Sequence, residues 1–203
     1  MRAMDGIAWG ASAMAAAKAR LDIATENLAN VSTNGFHAAL ARGTLTAHGV
    51  EIARVEAPAA HAYRHTGRPY DFAIVGEGAF RVRDNAGNVR ATRDGAFERD
   101  RFGVLRDASG AALLGLRGPV RVPEGATVDE RGQVMVGATR IDRITTGRDA
   151  TLRCGFVETA NVDAIGEMVS VMTSQRSFES AEKVVAAIDG VRQKSSNDVA
   201  RIK

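Results

Sequence analysis

Cysteine is nearly missing from this sequence. Cys154 is the one thiol in 203 residues, which excludes an internal disulfide framework and a thiolate metal cage. No stretch of about 18 apolar residues occurs, so no membrane-spanning helix and no direct membrane insertion are expected. Aromatic residues make up only 5% of the chain, and charge of one sign is nowhere concentrated. The 27 Lys and Arg are interleaved with 24 Asp and Glu; Arg81, Arg83, Arg90, Arg93, Arg99 and Arg101 share their segment with Asp84, Asp94, Glu98 and Asp100. A nucleic-acid binder gathers positive charge into a stripe, often with stacking aromatics, so no nucleic-acid partner is expected. Proline is scarce as well: the four prolines, Pro58, Pro69, Pro119 and Pro123, all lie in the middle of the chain, together with 17 of the 21 glycines. The two ends are almost free of helix breakers.

What is present is ordinary globular material. The composition is 45% hydrophobic and 25% charged, enough for a real core in one or two domains. From about Asp5 to Asn30 the pattern is helical. Ile7, Met14, Leu21 and Leu28 fall seven residues apart, and Gly10, Ala17, Ala24 and Val31 follow each by three, a heptad with small residues at its second position. A second helical pattern follows Asn161, read as its N-cap, and runs from about Val162 to the end. Val171, Phe178 and Val185 mark one seam and Ala181 and Ile188 the other, with Gly190 as a weak point. Each stripe needs a partner surface, either the core of its own domain or another chain.

Between the helices the texture is β. Phe72–Val75, Ala79–Arg83, Val89–Thr92 and Val134–Val136 are short strand candidates. Asp84–Asn88, Asp94-Gly95, Asp100–Gly103 and Asp107–Gly110 are the turn signals that separate them. The segment 37–68 has no firm period and reads as an extended connector. The fold class is therefore α+β, with N- and C-terminal helices forming a coiled-coil-like helical domain and the middle of the chain a mainly antiparallel β domain. The expected divisions are 1–36 with 156–203 (helical), 37–68 (connector) and 69–155 (β).

Candidate chemistry is thin. His61 and His65 have the four-residue spacing of a helical metal pair, but they lie between Pro58 and Gly67 without a third ligand. Val75-Gly76-Glu77-Gly78 lacks the helix and third glycine of a dinucleotide loop and reads as a hairpin turn. Asn30-Val31-Ser32 is a chance sequon, Asp129-Glu130 a solvated pair, and Cys154 a small packed residue. No catalytic, cofactor or metal site is expected. The alanine-rich stretch Ala11–Ala17 after Arg2 is poor in Leu, Ile and Val, and Asp5 sits where a signal peptide is positive, so the first helix is expected to stay on the chain.

The distinctive feature is the junction after the first helix: Asn27-Leu28-Ala29-Asn30-Val31-Ser32-Thr33-Asn34-Gly35-Phe36. Asn30 and Asn34 can bond their own backbone, Gly35 accepts left-handed angles, and Phe36 offers an anchor. This stretch resembles the signature of the bacterial flagellar rod and hook axial proteins. Phe72–Phe80, Thr92–Phe97 and Gly155–Phe178 resemble further segments of that family in the same order. The match is nearest to the proximal and distal rod proteins that carry one β domain. The resemblance implies terminal helices packed on each other and on neighbouring subunits, with Ile7, Met14, Leu21, Leu28, Val171, Phe178, Val185 and Ile188 at subunit interfaces. It implies copies of itself and other rod and hook axial proteins as partners. It also implies passage through the flagellar type III export apparatus without a cleaved signal, and a place in the periplasm-spanning rod that carries motor torque to the hook. The other reading of the same stripes is a non-enzymatic binding or adaptor module that dimerises through its helices.

Overall fold

Alanine favours helix and proline is absent from the first thirty residues. Helix α1 accordingly covers Gly6–Ala29 in the computed structural model, which describes residues 6–58, 62–147 and 150–201. Its exit is closed by Asn30, whose side-chain amide donates to the Glu26 carbonyl at 2.9 Å. Strands β1 (Ala39–Thr46) and β2 (Gly49–Glu56) follow. They form a hairpin in register from Ala39 opposite Glu56 to Thr46 opposite Gly49. The segment 37–68, expected as an extended connector, thus contains a paired hairpin. Most residues of both strands are exposed, so the alternation that betrays a half-buried strand is missing from the sequence.

Thirteen short strands come next: β3 (Tyr63–His65), β4 (Phe72–Val75), β5 (Phe80–Arg83), β6 (Val89–Thr92), β7 (Glu98–Arg99) and β8 (Leu105–Arg106), then β9 (Ala112–Gly115), β10 (Gly118–Pro119) and β11 (Thr127–Val128). The series ends with β12 (Gln133–Val136), β13 (Thr139–Arg143), β14 (Thr151–Cys154) and β15 (Phe156–Glu158). Helix α2 then covers Ala164–Arg201 and passes through Gly190 without a break. Its cap is Asp163, whose Oδ1 accepts from the Ile165 amide at 3.2 Å, rather than the expected Asn161. The Asn161 amide instead donates to the Phe36 carbonyl at 3.3 Å.

The chain divides into two compact units. The helical unit holds α1, β1, β2 and α2; the β unit holds Ser32–His37 and the chain from β3 to Asn161. In the helical unit α1 and α2 run antiparallel. Gly6 and Gly10 face Ile188 and Val185, and toward the other end Asn27 meets Glu167. A Cβ on Gly10 would stand 2.3 Å from Val185 Cγ2, so only glycine permits this approach. The hairpin is fastened to α1 by Ser12, whose hydroxyl accepts from the Val50 amide at 2.7 Å. Arg54 adds a bidentate grip on Glu26.

Every strand pair of the β unit is antiparallel. One sheet has the order β6-β5-β9-β8-β7 with β10 against β9, and β11-β12-β13, β14-β4 and β15-β3 complete the unit. Since β4 and β5 belong to different sheets, the Gly76-Glu77-Gly78 turn joins sheets rather than closing the expected hairpin. One core collects Phe72, Ile74, Phe80, Val82, Phe97, Leu105, Leu113 and Val134, with Phe80 meeting Phe97 edge-on at 5.3 Å between ring centroids. The turns repeat one device, Asp-x-x-Gly. Asp84, Asp100, Asp107 and Asp129 each accept with Oδ1 from the amide four residues on. Asp129 of the Asp129-Glu130 pair thus lies in a turn, and Glu130 is exposed. The Asp84 and Asp100 carboxyls are held below their usual range, Asp84 first by the Asn88 side chain and Asp100 first by Arg106.

Candidate assembly site

Two features gather the residues singled out in the sequence, one in each unit. In the helical unit the two terminal helices do not meet through their largest side chains. The buried positions of α1 are Gly10, Ala16, Ala17, Ile23, Ala24 and Asn27. On α2, among the side chains described, they are Ser174 and Ala181. Ile7, Met14, Leu21 and Leu28 are only partly buried, as are Val171, Phe178, Val185 and Ile188. The small residues occupy the line of closest approach and the larger ones flank it. Asn27 is wholly buried within this unit. It donates to the Ala39 carbonyl at 2.8 Å and to Glu167 Oε1 at 2.7 Å, and its own Oδ1 accepts from the Ala39 amide at 2.8 Å. One side chain of the junction motif therefore ties α1 to β1 and to α2. Buried polar groups are tolerated only when satisfied in this way.

Much apolar surface of this unit is left over. Ile165 (76% exposed), Met168, Val169 and Met172 face outward near the start of α2, and Val184 and Val191 (65%) do so further along. Leu40 and Val55, opposite one another in the hairpin, are also exposed. Trp9, Ala13, Val184 and Ile188 line an open groove with Gly6 and Ser180. Each such side chain is worth roughly 1.5–3 kcal/mol when fully buried. This outward face lies off the one stripe expected for each helix, since α2 carries apolar residues on two faces.

In the β unit, the second half of the junction is bolted down. Gly35 takes φ 66° and its amide donates to the Glu158 carbonyl at 2.8 Å. A Cβ there would stand 2.4 Å from the Arg93 carbonyl carbon, so the glycine is needed both for its angle and for its lack of a side chain. Asn34 Oδ1 accepts from Arg64 at 3.3 Å, and Phe36 is partly buried. Behind them lies an ionic knot. Glu158, 1% exposed, accepts from Arg93 Nε at 2.7 Å and lies 3.0 Å from His37 Nε2. Arg93 also donates to the carbonyls of Gly78 at 2.7 Å and Ile74 at 3.1 Å. The Tyr63 phenol is pushed upward, first by burial and then by the charge of Glu158. Arg93 and Glu158 both lay inside the stretches that carried the family resemblance, but 65 residues separate them, and nothing local in the sequence announces their pairing.

His65 lies on a strand and tilts against Phe156 at 4.8 Å, which removes the helical geometry of a metal pair, while His61 lies outside the described residues. Among the described residues no group of three His, Cys, Asp or Glu is placed to hold a metal. No helix among them is long and apolar enough to cross a membrane. Cys154 donates its thiol to the Val128 carbonyl at 3.3 Å, and burial raises its pKa above the ordinary value.

The two ends of the described chain thus form one helical unit with exposed apolar surface, and the middle forms an antiparallel β unit with its own core. Comparison with known proteins points to a family. Residues 7–37 match the family described as flagella basal body rod protein. Residues 73–136 match the flagellar hook protein FlgE/F/G D1 domain, and 154–198 the flagellar basal body rod FlgEFG protein C-terminal region. Over its length the chain is 28% identical to the flagellar basal-body rod protein FlgF of Caulobacter vibrioides, with 95% of this chain and 96% of that one aligned. It is 28% identical to FlgF of Escherichia coli (88% and 92% aligned) and 25% identical to the rod protein FlgG of Bacillus subtilis (93% and 96%). These matches, in the same order along the chain, support membership of the flagellar basal-body rod protein family.

Proposed function

We propose that this chain is a structural, non-enzymatic subunit of the bacterial flagellar basal-body rod, built into that axial structure through its terminal helices. The observation that carries the reading is the second apolar face of α2. Ile165, Met168, Val169 and Met172 stand more than half exposed on a helix whose other face already serves α1. A stripe of this kind is expensive to leave in water and is satisfied by helices of neighbouring axial subunits, in coiled-coil-like packing. The inner pair of helices then sets the shape of the repeating element, and the outer face supplies the contacts between elements. Copies of this chain and related rod and hook proteins are the partners, and the assembled shaft carries torque from the motor to the hook. Delivery goes through the flagellar type III export apparatus, with the first helix retained. The dimeric adaptor reading uses the same face but closes it in a two-fold contact, ending growth at two chains.

Met172→Asp tests this directly, because it places a charge on the outward face without touching the α1–α2 contact. The account expects a monomer with unchanged circular dichroism that is missing from purified basal bodies, whereas Lys18→Asp on exposed α1 surface is incorporated normally. An unpaired charge buried in an interface carries a penalty of several kcal/mol. Normal incorporation of the Met172 variant would remove the reading.

A further inference from the structure

Of the seven asparagines, Asn34 alone precedes a glycine. That pairing has a chemistry of its own. With no side chain on the following residue, its backbone nitrogen reaches the asparagine side chain freely. The Gly35 nitrogen attacks Cγ of Asn34, the Cγ–Nδ2 bond breaks, and ammonia leaves with the proton that the nitrogen gives up. Water then opens the resulting five-membered imide at one carbonyl or the other, giving aspartate or isoaspartate at position 34.

The fold opposes each step of this reaction. The Gly35 N–H that must be lost is donated to the Glu158 carbonyl at 2.8 Å. The side chain that must swing onto that nitrogen is engaged through Oδ1 by Arg64 at 3.3 Å. Arg64 stands opposite Val157 in the β3–β15 pair, so both restraints come from one two-stranded ladder. The backbone has no room to fold into an imide either, because Gly35 lies directly against the main chain of Arg93 and Asp94. The junction has to lift off the ladder before the reaction can begin.

We infer that Asn34 is a deamidation site controlled by docking of the junction: closed while Ser32–His37 lies on the β3–β15 ladder, and open to reaction with water whenever the chain is unfolded or undocked. The products differ in consequence. Aspartate adds a negative charge beside Arg64 and leaves the main chain unchanged. Isoaspartate inserts an extra carbon into the main chain immediately before Gly35, where the contact with Arg93 allows no displacement, so that product cannot restore the Gly35–Glu158 hydrogen bond. Position 34 thus records the time a chain spends before its junction docks.

The test uses the full chain, held at one mildly alkaline pH and temperature in native buffer and in denaturing urea. The peptide containing Asn34 is followed by mass spectrometry, and isoaspartate by enzymatic methylation. Conversion in urea is expected to be at least about tenfold faster than in the native chain, since the native rate is scaled by the fraction of time the junction is open. In the same urea sample Asn34 should react far faster than Asn85, which precedes alanine. Glu158→Gln, which removes the charge holding Arg93 and His37, should move the native rate toward the unfolded one; the wild-type comparison decides whether or not that variant folds. Native and unfolded rates within about twofold of each other, or an Asn34 no faster than Asn85 in urea, would overturn the inference.

Discussion

The two units of this molecule bury different things. In the β unit the fully buried side chains are large: Phe72, Phe80, Ile74, Leu105 and Leu113 are all 0% exposed. In the helical unit the interior is made mostly of alanine, with Gly10, Ser174, Ile23 and the wholly buried amide of Asn27, while the large apolar residues of α2 stand outside. The β unit has closed a core of its own, although Phe102 and Leu116 remain exposed on its surface. The helical unit has spent its small residues on a close helix–helix approach and kept its larger ones for something else. That division fits the proposed rod subunit, in which the ends pack against neighbouring subunits.

The sequence supplies probes that separate the units. The single tryptophan, Trp9, lies on α1, and both tyrosines, Tyr63 and Tyr70, lie in the β unit. The largest effect is expected from Phe80→Ala, which empties the aromatic centre of the β core and should destabilise that unit by about 3–5 kcal/mol. Urea unfolding followed by the tyrosine signal should shift strongly while the Trp9 signal moves little; a common shift of both would show that the units do not differ as described. Asn27→Ala comes next. It removes three hydrogen bonds and strands the Ala39 backbone groups, a loss of about 1–3 kcal/mol. Here the Trp9 transition should move and the tyrosine transition should not.

The smallest effect is electrostatic. Hydrogen bonding to Arg54 is the main influence holding the Glu26 carboxyl below its usual 4.5, against a smaller upward push from burial and with help from the Arg54 charge. A carboxyl depressed in the folded state stabilises above its unfolded value, and that contribution is lost as pH falls through the lower, folded one. Both partners are about half exposed, so screening keeps the pair below about 1 kcal/mol. Glu26→Gln should therefore lower the Trp9 transition slightly at neutral pH, less so at high salt, and match the unsubstituted chain once the solution is acidic enough to protonate Glu26. A difference that persisted in acid would assign the effect to packing.

How much of this was legible beforehand follows from how local each signal is. The helices were legible because alanine content and the lack of proline act residue by residue: α1 was expected from Asp5 to Asn30 and is described over Gly6–Ala29. The strands β4, β5, β6 and β12 were legible because apolar runs sit between aspartate-glycine turns. The β1–β2 hairpin was not, since strands exposed on both faces leave no periodic trace. The α2 cap was misplaced by two residues because Asn161 and Asp163 are both good caps, and only the chain path decides between them. The junction was recognised as a motif, but its anchorage was hidden. Gly35 is held by Glu158, and Glu158 in turn by Arg93 and His37, across separations of 65 and 121 residues. The same is true of Asn27, whose partner Glu167 is 140 residues away.

Amide hydrogen exchange on the purified monomer tests the central contrast most directly. The account predicts that the amides of α1 and α2 exchange at least about a hundredfold faster than those of β5, β9 and β12, because the helical unit lacks the neighbours that complete it. Helix amides as slowly exchanging as the β core would mean that the helical unit is already complete in the single chain, and would contradict the account.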